Sequence, residues 1–187
     1  MANKENQRII LTKRLLHEGL LRLLETKDLD KISVTELCRE SGINRATFYN
    51  HYSSPQDLLL NLEAQMAEEL DQLMTYPQNS DEAITQLEAV CTYMQEHAHS
   101  VIVLSRCHAD TDLADCFNKL NASLTPRRPR SKLTSTMDDD DLHLTTTFIY
   151  TGCYHLIREW LIKDIQKTPR EIAELLVSII NKEIHCV

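Results

Sequence analysis

The sequence has little glycine, proline or aromatic residue, and it has no long apolar run. Three Gly and five Pro among 187 residues, with abundant Leu, Glu and Ala, favour an all-α protein over turn-rich classes. No apolar stretch is long enough to span a bilayer. The polar start of the chain lacks an apolar signal segment, so we expect a cytoplasmic protein. Aromatic residues make up 5% of the chain, which provides no visible aromatic cage for a ligand.

The sequence also lacks the usual motifs of enzymes and metal proteins. It contains no nucleophile elbow, phosphate-binding glycine loop or H-E-x-x-H motif, so we expect neither an enzyme nor a cofactor. Its six cysteines show no C-x-x-C spacing, which favours reduced thiols over a disulfide framework. The remaining candidates for a metal or redox sensor are His97, His99, Cys107, His108 and Cys116. Their spacing is not a strong zinc pattern, and scattered core cysteines with surface histidines are the preferred interpretation.

Charge is distributed unevenly along the chain. Residues 1–53, here called the head, hold nine Lys/Arg and seven Asp/Glu, a net charge of +2. Residues 54–187, here called the body, have a net charge of −10, so the whole chain has a net charge of −8. A mildly basic head permits contact with phosphate, while an acidic body resists non-specific binding to nucleic acid.

The segment Ser33–Tyr52 has the pattern of two short helices joined by a tight turn. Ser33 is placed to cap the first of them, with Glu36 three residues later, and Asn44 is placed to cap the second. Gly42 lies between them, where a positive φ is needed. The segment therefore predicts a helix-turn-helix, whose second helix enters the major groove of DNA.

An amphipathic helix from about Asn6 to Glu25 precedes this segment. Gly19 in its middle costs roughly 1 kcal/mol of helix stability relative to Ala, so we expect another helix to approach closely there. The side chains expected to point inward and fix the angle between the next two helices are Val34, Leu37, Cys38, Ile43, Phe48 and Tyr52.

The other residues of the second helix-turn-helix element are free to meet DNA. Arg45 suits guanine, Asn50 suits adenine, and the Ala46 methyl suits a thymine methyl. The donors that suit phosphate oxygens are Thr47, Tyr49 and His51. The alternative is a helical hairpin with a merely solvated polar face. An exposed Tyr49 beside Arg45 argues against that alternative.

From about Ile9 to Leu59 the sequence resembles the TetR family of transcriptional regulators, most specifically over Gly42–Tyr52. The resemblance implies a three-helix DNA-binding domain followed by a longer helical domain that dimerises and usually binds a small effector. It also implies phosphate contacts for Thr35, Thr47, Tyr49 and His51, with base reading around Arg45, Ala46 and Asn50. Many members carry a phosphate-binding Lys at the start of the fourth helix, where this chain has Ser54-Pro55-Gln56-Asp57.

The body shows further helical patterns. Ser54 and Pro55 begin a helix that continues to about Thr75 and would form a stiff link between head and body. The later segments are helices at Asp81–Glu96, Ser100–His108 and Leu113–Leu124, a loop at Thr125–Thr136, and helices at Leu142–Ile165 and Thr168–His185. The basic cluster Arg127–Lys132 is interpreted as a solvated loop. The acidic run Asp138–Asp141 is expected around a helix N-terminus.

These patterns predict a DNA-binding domain at 1–53 and an effector-binding and dimerisation domain at 54–187. The function predicted is that of a homodimeric repressor, joined through its last two helices and released from a palindromic operator by a small molecule. The larger side chains available for effector binding are Tyr93, Phe117, Phe148, Tyr154, His155 and Trp160. Two alternatives stay open. In one, the body docks a protein partner, as in an activator or a DNA-organising protein; in the other, the chain is an interaction module with a decayed head.

Overall fold

The computed structural model describes residues 2–74, 77, 79–107 and 137–184. The regular structure in this part of the chain is helical and contains no strand, which confirms the all-α class. A short 3-10 turn spans Leu29–Lys31. The helices are α1 Ala2–Leu24, α2 Val34–Ser41, α3 Arg45–Tyr49, α4 Pro55–Leu73, α5 Ser80–Glu96, α6 Ala98–Cys107, α7 Asp139–Ile162 and α8 Pro169–Ile184.

The described residues form two compact units. The first lies within Met1–Met66 and Val103–Ala109, and the second within Ala67–Ile102 and Asp110–Val187. The first unit therefore includes the beginning of α4 as well as the predicted head. The functional division into residues 1–53 and 54–187 stays a prediction.

Helices α1 to α4 each contribute fully buried side chains to the core of the first unit. These are Leu16, Leu20, Leu37, Phe48 and Leu58, each 0% exposed. Because burial of a Leu or Phe side chain stabilises a fold by about 1.5–3 kcal/mol, this cluster fixes the positions of α2 and α3.

The close approach expected at Gly19 is present. A Cβ atom at this position would lie 2.9 Å from Ser41 Cβ and 3.2 Å from the backbone nitrogen of Ser41. Ion pairs connect α1 and the turn after it to α2: Arg22 contacts Glu40 at 2.6 Å, and Lys27 contacts Glu36. Gly19 therefore allows α1 and α2 to pack closely.

In the second unit, α8 packs antiparallel to α5. Arg170 near the start of α8 contacts Glu88 at 3.0 Å, and Asn181 near its end contacts Ser80 at 3.2 Å. The buried side chains of this unit include Val90, Cys91, Met94, Tyr154, Ile157, Trp160, Ile172, Ala173, Leu176 and Val177.

The predicted limits of α7, Leu142–Ile165, are wrong by three residues at each end. The helix begins earlier because Asp138 caps it, its Oδ1 accepting a hydrogen bond from the Asp141 N–H at 2.8 Å. It ends earlier because Asp164 adopts a left-handed conformation with a φ of 47°. The expected position of the acidic run around a helix N-terminus is confirmed.

The capping box expected at the start of the last helix is also present. The Thr168 N–H donates to Glu171 Oε2 at 2.8 Å, and the Glu171 N–H donates to Thr168 Oγ1 at 3.2 Å. The predicted helix at 113–124 and the loop at 125–136, with its basic cluster, lie outside the described residues. Across the ranges that the structure covers, we find no helix with both the length and the apolar character needed to cross a membrane.

Candidate nucleic-acid interface

Local hydrogen bonds fix the turn between α2 and α3. Ser33 Oγ caps α2 by accepting the Glu36 N–H at 3.2 Å, and Asn44 Oδ1 caps α3 by accepting the Thr47 N–H at 2.8 Å. Gly42 between them has a φ of 68°, in the left-handed region that a residue without a Cβ adopts at little cost. These contacts hold α3 at a fixed angle to α2, as a recognition helix requires.

Helix α3 directs most of the predicted DNA-contacting residues outward. Phe48 anchors it in the core, while the exposed residues are Arg45, Ala46, Tyr49 and Asn50. Thr47 and His51 are half-buried, and Thr35 is exposed in the first turn of α2. The Tyr49 side chain is 51% exposed although it is large and aromatic. This exposure fits a surface that another molecule covers.

Helix α3 ends before the last two residues of the predicted DNA-contacting surface. It ends at Tyr49, so Asn50 is its C-cap and His51 lies in the following turn. The Asn50 N–H donates to the Ala46 carbonyl at 3.1 Å, and the His51 N–H donates to the Phe48 carbonyl at 2.9 Å. These bonds keep Asn50 and His51 directly beside α3.

A surface groove of about 380 Å³ adjoins the start of α3, and we call it the α1–α3 groove. Its lining residues are Arg8, Ile9, Thr12, Gly42, Ile43, Asn44, Thr47 and His51. Sequence reasoning missed Arg8 and Thr12 as interface candidates. Their spacing of four residues, which puts them on one face of α1, was the available signal.

Half of the described cations of the head form ion pairs with neighbouring acids. Arg14 contacts Glu18 at 3.5 Å, and Arg22, Lys27 and Lys31 have acidic partners as well. Among the side chains that the structure describes, the basic residues of the head without an ion pair are Arg8, Lys13, Arg39 and Arg45. The available positive charge therefore includes one residue of α3 and one of the α1–α3 groove.

The start of α4 carries a carboxylate, Asp57. Asp57 Oδ2 accepts hydrogen bonds from the Ser53 N–H at 2.7 Å and the Ser53 hydroxyl at 2.9 Å. These bonds lower the pKa of Asp57, so the group is charged at neutral pH. Ser54 Oγ in turn accepts the Asp57 N–H at 3.1 Å. The local negative charge and the occupied Asp57 N–H disfavour a phosphate at this helix start.

A buried polar network supports the residue that follows α3. The Tyr52 hydroxyl donates to Asn61 Oδ1 at 3.1 Å and lies 3.5 Å from His17 Nε2. Burial lowers the pKa of His17, the positive charge of Lys13 lowers it further, and a hydrogen bond with Asn61 partly opposes the shift. The network joins α1, the turn after α3 and α4 within the first unit.

Two family models match the sequence. "Bacterial regulatory proteins, tetR family" matches residues 16–62, and "Transcriptional regulator C-terminal region" matches residues 81–182, more than half of the chain. The chain belongs to the TetR family of transcriptional regulators. It is therefore a DNA-binding helix-turn-helix regulator and not an enzyme.

Individual relatives resemble this TetR-family protein to different extents. An uncharacterized HTH-type transcriptional regulator, YxbF of Bacillus subtilis (strain 168), is 34% identical over 70 residues. That segment covers 36% of this chain and only 18% of YxbF.

Solved structures extend the similarity of fold to nearly the whole chain. A TetR transcriptional regulator from Streptococcus agalactiae 2603V has a TM-score of 0.64 at 19% identity, covering 96% of this chain and 99% of its own. The fatty acid degradation regulator FadR from Bacillus halodurans has a TM-score of 0.62 at 9% identity, covering 94% and 96%.

The effector candidates of the TetR-type body lie in different surroundings. Tyr154 and Trp160 are buried, whereas Phe148 and His155 are exposed, so these four residues lie on two sides of α7. The Trp160 indole N–H donates to the carbonyls of Ile165 and Lys167, at 3.0 and 3.2 Å, and so holds the turn before α8.

The remaining two effector candidates are Tyr93 and Phe117. The Tyr93 hydroxyl donates to Glu69 Oε2 at 2.7 Å, so it already has a partner on α4. Phe117 lies outside the described residues. The effector-binding role of all six residues stays a prediction.

The TetR-type body also contains the residues considered for a metal. His97 and His99 are exposed, whereas the Cys107 side chain, His108 and Cys116 lie outside the description. Within the described ranges, no group of three or more His, Cys, Asp or Glu residues is placed to hold a metal ion.

Two cysteines of the second unit are held as thiols. Burial raises the pKa of Cys91 to about 12 and that of Cys153 to about 11. Because a thiolate is the reactive and metal-binding form, both groups are unreactive at neutral pH.

Proposed function

We propose that this TetR-family regulator is a cytoplasmic, homodimeric repressor that a small-molecule effector releases from a palindromic operator. The observation that carries the proposal is the outward face of α3, where Arg45, Ala46 and Asn50 are exposed on a helix anchored by Phe48. A recognition helix reads DNA with its N-terminal residues, and Arg45 is the first residue of α3.

We assign base reading to this face. Arg45 would donate two hydrogen bonds to guanine, and Asn50 would pair with adenine, while the Ala46 methyl would contact a thymine methyl. Arg45 forms no ion pair with any described side chain, so its guanidinium is available to a base.

We assign backbone contacts to the donors that flank the base-reading face. These residues are Thr35, Thr47, Tyr49 and His51. Such contacts fix the register of the protein on the duplex without carrying sequence information.

Two helices would form the homodimer. In the single chain, α7 exposes Leu144 to 66% and Phe148 to 76%, and α8 exposes Leu175 and Ile179 to 42% each. A Cβ added at Gly152, one turn beyond Phe148, would meet no atom within 4 Å. Apolar area of this kind supports burial against a second copy, and twofold symmetry then predicts two half-sites about 34–36 Å apart or somewhat further.

The effector would act through α4. This helix begins beside the helix-turn-helix and runs from Pro55 to Leu73, so its displacement would change the spacing of the two recognition helices. The effector must bind the DNA-incompatible state more tightly, because a ligand with equal affinity for both states does not shift the equilibrium between them. The proposed lining residues are Tyr93, Phe117, Phe148, Tyr154, His155 and Trp160.

Selection of bound duplexes from a random pool tests the proposal. We expect a palindromic consensus, and we expect Arg45→Ala to relax base preference at one position of each half-site by about 1–3 kcal/mol. Arg14→Ala is the matched control, because it removes the same charge from α1 and should leave the consensus unchanged.

Two results would contradict the assignments. Recovery of no consensus by the wild-type protein would favour an interaction module with a decayed head, and an unchanged consensus for Arg45→Ala would remove Arg45 from base reading. A thermal-shift screen of small molecules, followed by operator-release assays on the hits, tests the effector. If only a protein partner changes operator occupancy, the body is a docking surface and the repressor mechanism is wrong.

A further inference from the structure

The α1–α3 groove combines a cation, hydrogen-bonding side chains and a position beside the recognition helix. Arg8 is exposed and forms no ion pair within the described part of the chain, whereas Arg14 on the same helix is paired with Glu18. Thr47 and His51 also line the groove, and Thr12 is one turn beyond Arg8 on α1. A concave surface with an unneutralised guanidinium and several donors is suited to an oxyanion.

The groove lies where DNA backbone would pass. When the second helix of a helix-turn-helix lies in the major groove, the first helix of the motif, here α2, crosses the sugar-phosphate backbone. The lining of the groove includes Asn44 and Thr47 at the start of α3 together with Arg8 and Thr12 of α1. Because residues of α1 and of the start of α3 line the same groove, a phosphate that flanks the bases read by Arg45 would lie beside Arg8 as well.

The start of α4 disfavours a phosphate contact, so a cation elsewhere in the first unit would compensate for it. Asp57 there is a hydrogen-bonded carboxylate, which repels phosphate. This helix start therefore carries an acidic side chain rather than a lysine, and the Asp57 N–H is already bonded to Ser54 Oγ. Arg8 provides a cation on a different helix of the same unit.

We propose that the α1–α3 groove binds a phosphate of the DNA backbone, with Arg8 as the cation and Thr12, Thr47 and His51 as hydrogen-bonding partners. The proposal rests on DNA binding through α3, and it assigns to α1 a contact that the motif of the helix-turn-helix does not contain. Because a phosphate carries no sequence information, Arg8 contributes affinity and register rather than base preference.

The salt dependence of binding tests the proposal. The probe is a fluorescent operator duplex, obtained by selection with the full-length wild-type protein. It is titrated with the wild type and with the Arg8→Ala, Arg8→Lys and Arg14→Ala variants at salt concentrations from about 50 to about 200 mM. Over this range the affinity of a protein that contacts phosphates falls steeply. Loss of one phosphate contact should flatten the slope of log K against log salt by about 0.9 per head, or about 1.8 for two heads on one operator. Arg8→Lys should retain the slope, because the charge is retained.

Arg14→Ala removes the same charge from the same helix as Arg8→Ala does. It therefore separates a local contact of Arg8 from the effect of the protein's net charge. We expect its slope to equal that of the wild type, and we expect Arg8→Ala to weaken binding by the same factor on operators with altered bases. Equal slopes for Arg8→Ala and Arg14→Ala would overturn the proposal, as would an Arg8→Ala effect confined to one base pair. Failure of the wild-type protein to select any duplex would overturn this proposal and the proposed function together, whereas the slope comparison concerns the groove alone.

Discussion

Gly19 lies where α1 and α2 pack, and its missing side chain sets how closely the two helices approach. The nearest atoms to an added Cβ are the Cβ and backbone of Ser41, which cannot rotate away as the end of a long side chain does. In an isolated helix, Gly19→Ala would add about 1 kcal/mol of stability. The packing at Ser41 reverses the sign, because overpacking a well-packed core costs typically about 1–3 kcal/mol.

We therefore expect Gly19→Ala to lower the free energy of unfolding, measured by urea titration of the full chain. A double-mutant cycle with Ser41→Gly provides the control, since that change removes the Cβ that an Ala at position 19 would meet. The destabilisation by Gly19→Ala should be smaller in the Ser41→Gly background. Additive effects, or a more stable Gly19→Ala variant, would contradict the packing argument.

Helices α1 and α4 are coupled to the turn after α3 through His17, Tyr52 and Asn61. Tyr52 is only 4% exposed, and its hydroxyl group bonds to Asn61 on α4. His17 on α1 is 8% exposed, and burial together with Lys13 lowers its pKa below the ordinary value of 6.5. Protonation of His17 is therefore less favourable in the folded state than in the unfolded state.

Stability should therefore fall when the pH is lowered through this range. Well above pH 6.5 the imidazole is neutral in both states. As the pH falls through 6.5, the unfolded state takes up the proton first, so the free energy of unfolding decreases until the pH falls below the folded-state pKa. One proton limits the slope to about 1.4 kcal/mol per pH unit. Urea titrations of the wild type and His17→Gln at several pH values measure this difference.

The control for this measurement is His143→Gln, which removes an exposed imidazole of α7. It should retain the wild-type pH dependence, whereas His17→Gln should flatten it. If the two variants behave alike, His17 is not the group responsible.

At the scale of the whole molecule, basic and acidic residues are separated along the chain. The unpaired cations of the head include Arg8 and Arg45, while the body carries a net charge of −10. The exposed apolar residues Leu144 and Phe148 lie on α7, far along the sequence from α3. Under the proposed function, DNA contact and self-association would therefore involve different parts of the chain, as the binding of two heads to one operator requires.

Phe148→Glu should convert the proposed dimer to monomer without unfolding it, because Phe148 is 76% exposed in the single chain. A central interface residue contributes at least about 2 kcal/mol, and a twofold interface contains it twice. The dimer dissociation constant should therefore rise by roughly three orders of magnitude. Sedimentation equilibrium measures it.

Leu60→Glu is the matched control, since Leu60 on α4 is 65% exposed and lies outside α7 and α8. Its association state should equal that of the wild type. A Phe148→Glu protein that remains as dimeric as Leu60→Glu would place self-association elsewhere, and a wild-type protein that is monomeric at all concentrations would exclude the dimer.

The sequence by itself determined the local architecture of the helix-turn-helix. Ser33, Asn44 and Gly42 act through their own backbone neighbours, so their capping and turn roles follow from residue type and spacing. The family resemblance carried by Gly42–Tyr52 is confirmed by the matching family model. The ends of α7 were harder to predict from the sequence. Asp138 caps the helix and Asp164 ends it in a left-handed conformation, but neighbouring residues are equally plausible helix limits.

Only the tertiary structure decided which side chains share a surface. Arg8 and Thr12 are more than thirty positions from Thr47 in the sequence, and they line one groove with it because α1 packs on α2, which orients α3. The close contact of Gly19 with Ser41 and the burial of His17 depend in the same way on long-range packing. Caps and turns are decided by contacts within about four residues, whereas a binding surface is decided by contacts between helices that the sequence pattern does not specify.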